Sequence, residues 1–70
     1  MKRNALRRRI LSKYNRLDDF AAACGVSNIT ISNIVSGRSF PREELTKTII
    51  TLLDIQQEEV GGLFFPEFDE

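Results

Sequence analysis

Apolar residues recur along this chain at intervals of three and four, which is the period of a helix that buries one face. The first such stripe consists of Leu6, Ile10, Tyr14 and Leu17. A later stripe consists of Leu45, Ile49, Leu52 and Leu53. The two stripes predict a helix over about residues 2–14 and another that begins at Pro41, since proline suits the first position of a helix.

The middle of the chain contains the residues that begin and end two short helices. Acidic residues occupy the first turn of the earlier helix, about residues 17–24, where the helix dipole favours negative charge. Phe20 and Cys24 lie on the side of this helix that we expect to be buried. Gly25 follows, where a helix end favours a left-handed residue. Ser27 is a good N-cap for the next helix, which Gly37 ends.

The C-terminal part predicts one more short helix and a tail. A break at Asp54 precedes a fifth helix over about residues 56–61, with Val60 facing inward. Consecutive glycines end it, and residues 63–70 form a tail, of which Leu63 and Phe64 close the core. The expected fold is therefore all-α, a compact bundle of about five short helices in a single domain, residues 1–70.

Composition excludes several classes of function. Cys24 is the only cysteine and the chain has no histidine, so neither an intrachain disulfide nor a zinc site of the usual type is available. No catalytic constellation is visible, and we expect no enzyme, no cofactor and no metal. No stretch reaches the apolar length of a membrane span, so we expect a cytoplasmic protein with no membrane partner.

Charge is distributed unevenly although the total is zero. Residues 1–16 contain seven basic residues and no acid, and residues 17–70 contain three basic residues and ten acids, which gives +7 and −7. Such asymmetry indicates an end that binds nucleic acid or a partner. The alternative is that the two parts of the chain attract each other.

Residues 21–37, AAACGVSNITISNIVSG, have the spacing of a helix-turn-helix. Ala21 is small where two helices cross closely, and Gly25 permits the turn. The inward residues of the second motif helix are Val26, Ile31, Ile34 and Val35. With these inward, the helical period turns Ile29, Ser32, Asn33 and Ser36 outward, and Asn28 lies at the tip. Such a helix usually enters the DNA major groove.

About residues 6–63 resemble the phage lambda-repressor and Cro type of helix-turn-helix domain, also called the XRE family. The resemblance is carried by Phe20-Ala21, Gly25-Val26-Ser27, Ile31, Ile34, Gly37, Pro41 and Leu52-Leu53-Asp54-Ile55. It implies that helices 2 and 3 form the motif. It also implies base contacts for Asn28, Ile29, Ser32 and Asn33. The phosphate contacts that it implies are Arg38, Ser39 and Arg42.

The chain departs from the family pattern at two places that bear on the site. Leu17 stands where the family has a glutamine on a phosphate, which leaves Arg16 or a backbone N–H for that contact. Ser27 is a cap first and a phosphate contact second. Ile10 and Val35 replace an arginine–glutamate pair of the family, and we expect them to lie near each other, because an apolar pair can replace a buried ion pair at little cost.

The expected function is a sequence-specific, Cro-like transcriptional regulator of phage or bacterial origin that binds double-stranded operator DNA. An amide-rich outer face without Arg or Lys favours A·T pairs, and a homodimer would read a palindromic site. The candidate dimer residues are Val60, Phe65 and Phe68. Two alternatives remain: an antitoxin-like protein whose acidic tail binds a toxin, or a protein-interaction module that has lost DNA binding.

Overall fold

The computed structural model describes residues 2–65 of the chain, and all regular secondary structure in this part is helical. The elements are α1 (Asn4–Lys13), α2 (Leu17–Cys24), α3 (Asn28–Ser36), α4 (Glu43–Leu53), a 3-10 turn (Gln57–Glu59) and α5 (Val60–Phe64). The Cα radius of gyration is 10.9 Å, close to the roughly 11 Å expected of a compact domain of this length. The prediction of a small all-α bundle is confirmed.

One hydrophobic core joins all five α-helices. The buried apolar residues are Leu6, Ile10, Phe20, Ala21, Ile31, Ile34, Val35, Ile49, Leu53, Ile55, Leu63 and Phe64. Half-buried residues from the predicted stripes, among them Tyr14, Leu17 and Leu45, pack around this cluster. Ile10 and Val35 are both buried members of this cluster. The 3.6-residue period therefore identified the inward faces of α1 to α4 correctly.

The tightest part of the bundle is the pair α2–α3. Ala21, only 2% exposed, lies in the core on α2, and the Val26 N–H donates to its carbonyl at 3.0 Å. Gly25 has φ 77°, and a Cβ added there would meet nothing within 4 Å. The turn thus needs glycine for its left-handed backbone and not for space. The Ser27 hydroxyl accepts from the Thr30 N–H, so the predicted cap is confirmed.

Two predicted helix boundaries are wrong. Arg42 keeps an extended backbone (ψ 163°) and precedes the first residue of α4, so Pro41 lies two residues before that helix. The fifth helix does not end at its glycines but continues through Gly61 to Phe64. Leu63 and Phe64 are buried in the core, and this burial outweighs the roughly 1 kcal/mol by which each glycine disfavours a helix.

Arg9 and Glu59 join α1 to the 3-10 turn. The two guanidinium nitrogens lie 2.6 and 3.1 Å from the two carboxylate oxygens. The Gln56 backbone N–H also donates to Glu59, at 2.9 Å. These hydrogen bonds lower the pKa of Glu59 to about 2, with the bond from Arg9 the largest cause. One basic residue of the N-terminal segment is therefore paired with the acidic part of the chain.

Candidate nucleic-acid interface

Helix α3 presents a short polar row to the outside. Its inner side is fixed by Ile31, Ile34 and Val35, which are buried. The outer row includes Ile29, which is 67% exposed. Asn28 and Ser32 are also exposed, and Asn33 is half-buried. Ser36, expected to face outward, is half-buried as well, and its hydroxyl donates to the Asn33 carbonyl at 3.2 Å.

Asp18 links the start of α2 to the tip of α3. Its carboxylate accepts from the Asn28 amide at 2.8 Å and from the Arg16 guanidinium at 3.3 Å. These hydrogen bonds, the one from Asn28 first, hold the pKa of Asp18 below its usual value. The carboxylate thus brings a predicted base-reading residue and a predicted phosphate-binding residue together on one exposed surface. In the sequence, Asp18 indicates only an acidic residue in the first turn of α2, so its link to Asn28 is visible in the fold alone.

The loop after α3 is anchored to the helix end by backbone hydrogen bonds. Gly37 is left-handed (φ 84°), and the Arg38 and Ser39 N–H groups both donate to the Asn33 carbonyl, at 2.9 and 3.3 Å. Arg38, Ser39 and Arg42 are exposed, as a phosphate contact requires. These three residues therefore lie in the exposed segment that follows the C-terminal end of α3.

Arg3 is a second residue whose role the sequence does not show. It is one of the seven basic residues of the N-terminal segment, yet it is only 7% exposed. Its guanidinium donates to the carbonyls of Ile34 at 2.6 Å, Ser39 at 3.0 Å and Phe64 at 3.0 Å. It also lies 5.0 Å from the ring centroid of Phe40.

The physical reason for burying this cation lies in the helix ends. Ile34 and Phe64 belong to the last turns of α3 and α5, where carbonyl groups point outward and the helix dipole is negative. One planar guanidinium with five N–H groups can serve both ends at once. Arg3 therefore fixes the C-terminal end of α3 and the loop through Ser39 to the rest of the core. Only its place just before the first apolar stripe hints at this in the sequence.

The seven basic residues of the N-terminal segment have different environments in the fold. Arg3 is buried against carbonyls, and within residues 2–65 only two of the others pair with an acid, Arg9 with Glu59 and Arg16 with Asp18. Four remain exposed and free of ion pairs in that range: Lys2, Arg7, Arg8 and Lys13. Attraction between the two parts of the chain thus accounts for two of the seven charges, and four remain available to an outside partner.

The remaining candidate chemistry is sparse in the described residues. Cys24 is a half-buried free thiol that packs against the core, and burial raises its pKa. No group of three or more potential metal ligands lies together between residues 2 and 65. None of the helices in the same range has the length and apolar character needed to cross a membrane.

One of the predicted dimer residues, Phe65, forms an aromatic pair with Phe40 at the end of α5. The rings of Phe40 and Phe65 lie 4.9 Å apart, centroid to centroid, and these residues are 49% and 38% exposed. Val60 is half-buried and packs against the core. The third candidate, Phe68, lies outside the described residues.

Comparison of the chain with family models, with curated proteins and with solved structures gave no match.

Proposed function

We propose that this protein is a sequence-specific DNA-binding regulator of lambda-repressor and Cro-like type, which places α3 in the major groove of an operator. The observation that carries the proposal is the outer row of α3, where Asn28, Ile29 and Ser32 are exposed and Asn33 is half-buried, on a helix whose other side is fixed in the core. A helix held in this way can present side chains to base edges without losing its position.

The chemistry of the row favours A·T pairs. An asparagine amide donates to and accepts from adenine in the major groove, and an exposed isoleucine suits the thymine methyl group. Ile29 is exposed enough to make such a contact. The outer row contains no Arg or Lys for a bidentate contact with guanine.

Phosphate contacts would flank this row on two sides. Arg16 lies beside Asn28 through Asp18, and Arg38, Ser39 and Arg42 follow the other end of α3. Ser27 would contribute through its exposed position at the start of the helix, although its hydroxyl already caps α3. Such contacts fix the position of a protein on the duplex and carry no sequence information.

A homodimer completes the proposal, because one short helix offers little surface for specific binding. Two copies would read a palindromic site with half-sites about 34 Å apart. Sedimentation at several concentrations, with and without a palindromic duplex, tests this. A protein that stays monomeric in both and binds one half-site contradicts the dimer.

The test of readout is selection of binding sites from a random DNA pool, followed by two variants. Asn33→Ala should weaken the selected site by about 1–3 kcal/mol and relax one base position. Arg38→Ala should weaken all sequences alike and lower the salt slope by about one. Selected sites that are rich in G·C beneath α3 would contradict the assignment.

A protein-interaction module is the second candidate, and the exposed Phe40–Phe65 pair favours it. A groove of about 450 Å³ between α3 and the start of α4 includes Phe40 in its lining. An antitoxin-like protein would use such a surface together with the operator-binding row. If the random pool yields no enriched site while Phe40→Ser abolishes self-association or partner binding, this second function replaces the first.

A further inference from the structure

A polar cleft of about 450 Å³ lies beside α3, on the side where α1 and α2 begin. No acidic side chain lines it among residues 2–65. Two of its lining residues are exposed cations, and the other polar ones are an amide and two serines, of which Ser36 already donates its hydroxyl to the Asn33 carbonyl. These polar residues are Lys2, Asn4, Arg7, Ser32 and Ser36.

The consecutive arginines of α1 explain why this cleft keeps its charge. Successive residues of a helix point about 100° apart, so the three side chains have different surroundings. Arg9 is held by Glu59 at 2.6 Å, and Arg8 is exposed outside the cleft lining. Arg7 lines the cleft and, like Lys2, has no ion pair within the described residues. The positive charge is therefore available to a ligand.

The donor set fits a phosphate group. A tetrahedral anion with several acceptor oxygens can take charge-assisted hydrogen bonds from Lys and Arg together with neutral donors such as the Ser32 hydroxyl. Ser32 belongs both to the cleft and to the outer row of α3, one helical turn beyond Asn28. A phosphate bound there would lie next to the bases that this row contacts.

We propose that the cleft of Lys2 and Arg7 binds a backbone phosphate of the DNA segment that α3 reads. This inference rests on the proposed function and deepens it. It gives the N-terminal basic segment a defined place in the complex, beside Ser32 and Ser36 of α3. The cleft would then be a third phosphate-binding region, in addition to Arg16 and to the loop of Arg38 and Arg42.

The experiment measures binding of a fluorescent duplex that carries the selected site, at salt concentrations between about 50 and 200 mM. Arg7→Gln is compared with Arg8→Gln, which removes the same charge from the same helix at another exposed position. Arg7→Gln should lower the slope of log K against log salt by about 0.9 and weaken binding about eight-fold at ~0.1 M salt. The double variant with Lys2→Gln should lower the slope by about 1.8. Arg8→Gln should match the wild type.

The outcomes separate this inference from the proposed function. If the wild type binds the duplex and Arg7→Gln and Arg8→Gln weaken binding equally, the phosphate site in the cleft is contradicted. The regulator proposal is then unaffected. A wild-type protein that binds no duplex overturns both. In that case, titration with inorganic phosphate identifies another source of the same group. Saturable NMR shifts at the Ser32 and Ser36 amides that Arg7→Gln abolishes would reassign the cleft to a free phosphate.

Discussion

Replacement of Arg3 by methionine removes the buried guanidinium and keeps much of the aliphatic stem. Three hydrogen bonds to backbone carbonyls disappear, at 2.6, 3.0 and 3.0 Å. The loss of these hydrogen bonds does not destabilise the three carbonyl groups equally. Ile34 still accepts from the Gly37 N–H at 3.2 Å, and the Ser39 bond is only partly buried, so that water can replace it. The Phe64 carbonyl accepts its bond from Arg3 in a buried position and bears the largest loss.

A buried acceptor left without its partner costs about 1–3 kcal/mol, and hydrogen bonds to charged groups contribute about 1.5–3 kcal/mol. We take the full cost for the Phe64 carbonyl and part of it for the carbonyls of Ile34 and Ser39. Arg3→Met should then reduce the free energy of unfolding by about 3 kcal/mol. A domain of this size has roughly 4–10 kcal/mol in total. The melting temperature should fall by roughly 12–24 °C.

The assay is urea denaturation of Arg3→Met and of the control Arg8→Met. The free energies of unfolding are compared, provided that the m-values are equal. Arg8 is exposed on α1, so its replacement should change stability by less than about 0.5 kcal/mol. Arg3→Lys should fall between the two, because an ammonium keeps the charge but lacks the planar fork that serves three carbonyls. If Arg3→Met and Arg8→Met unfold at the same urea concentration, Arg3 does not join α3, the loop and α5 as described.

Two further predictions concern carboxylates. The pKa of Glu59 is lowered in the fold from about 4.5 to about 2, so its stabilising contribution is present above pH 4.5 and lost as pH falls toward 2. The urea midpoint of Glu59→Gln should therefore change less across this range than that of the wild type, and equal slopes would contradict the Arg9 contact. Asp18→Asn should release Arg16 and remove a negative charge beside the α3 tip, raising DNA affinity several-fold in duplex titrations. Unchanged binding would contradict the expected repulsion by this charge, and weaker binding would mean that the carboxylate is needed to orient Asn28.

The local part of the fold could be read from the sequence because its causes are local. The apolar period identified the inward faces of α1 to α4, and Gly25 and Ser27 identified the turn and the cap of α3. The same period predicted the exposed positions of Ile29 and Ser32, since residues that are not inward on an anchored helix face outward, whereas Asn33 and Ser36 are half-buried. The buried position of Ile55 was not predicted, because it follows a helix end and belongs to no stripe.

Tertiary structure alone decided what depends on contacts between distant residues. Arg3 contacts carbonyls that follow it by 31, 36 and 61 positions, so only the assembled fold distinguishes it from Arg8. The glycines in α5 likewise predict a helix end from the sequence. In the fold the helix continues, because Leu63 and Phe64 are buried in the core. Propensity, capping and periodicity act over a few residues and are written in the sequence, whereas burial and charge pairing depend on which surfaces the chain brings together.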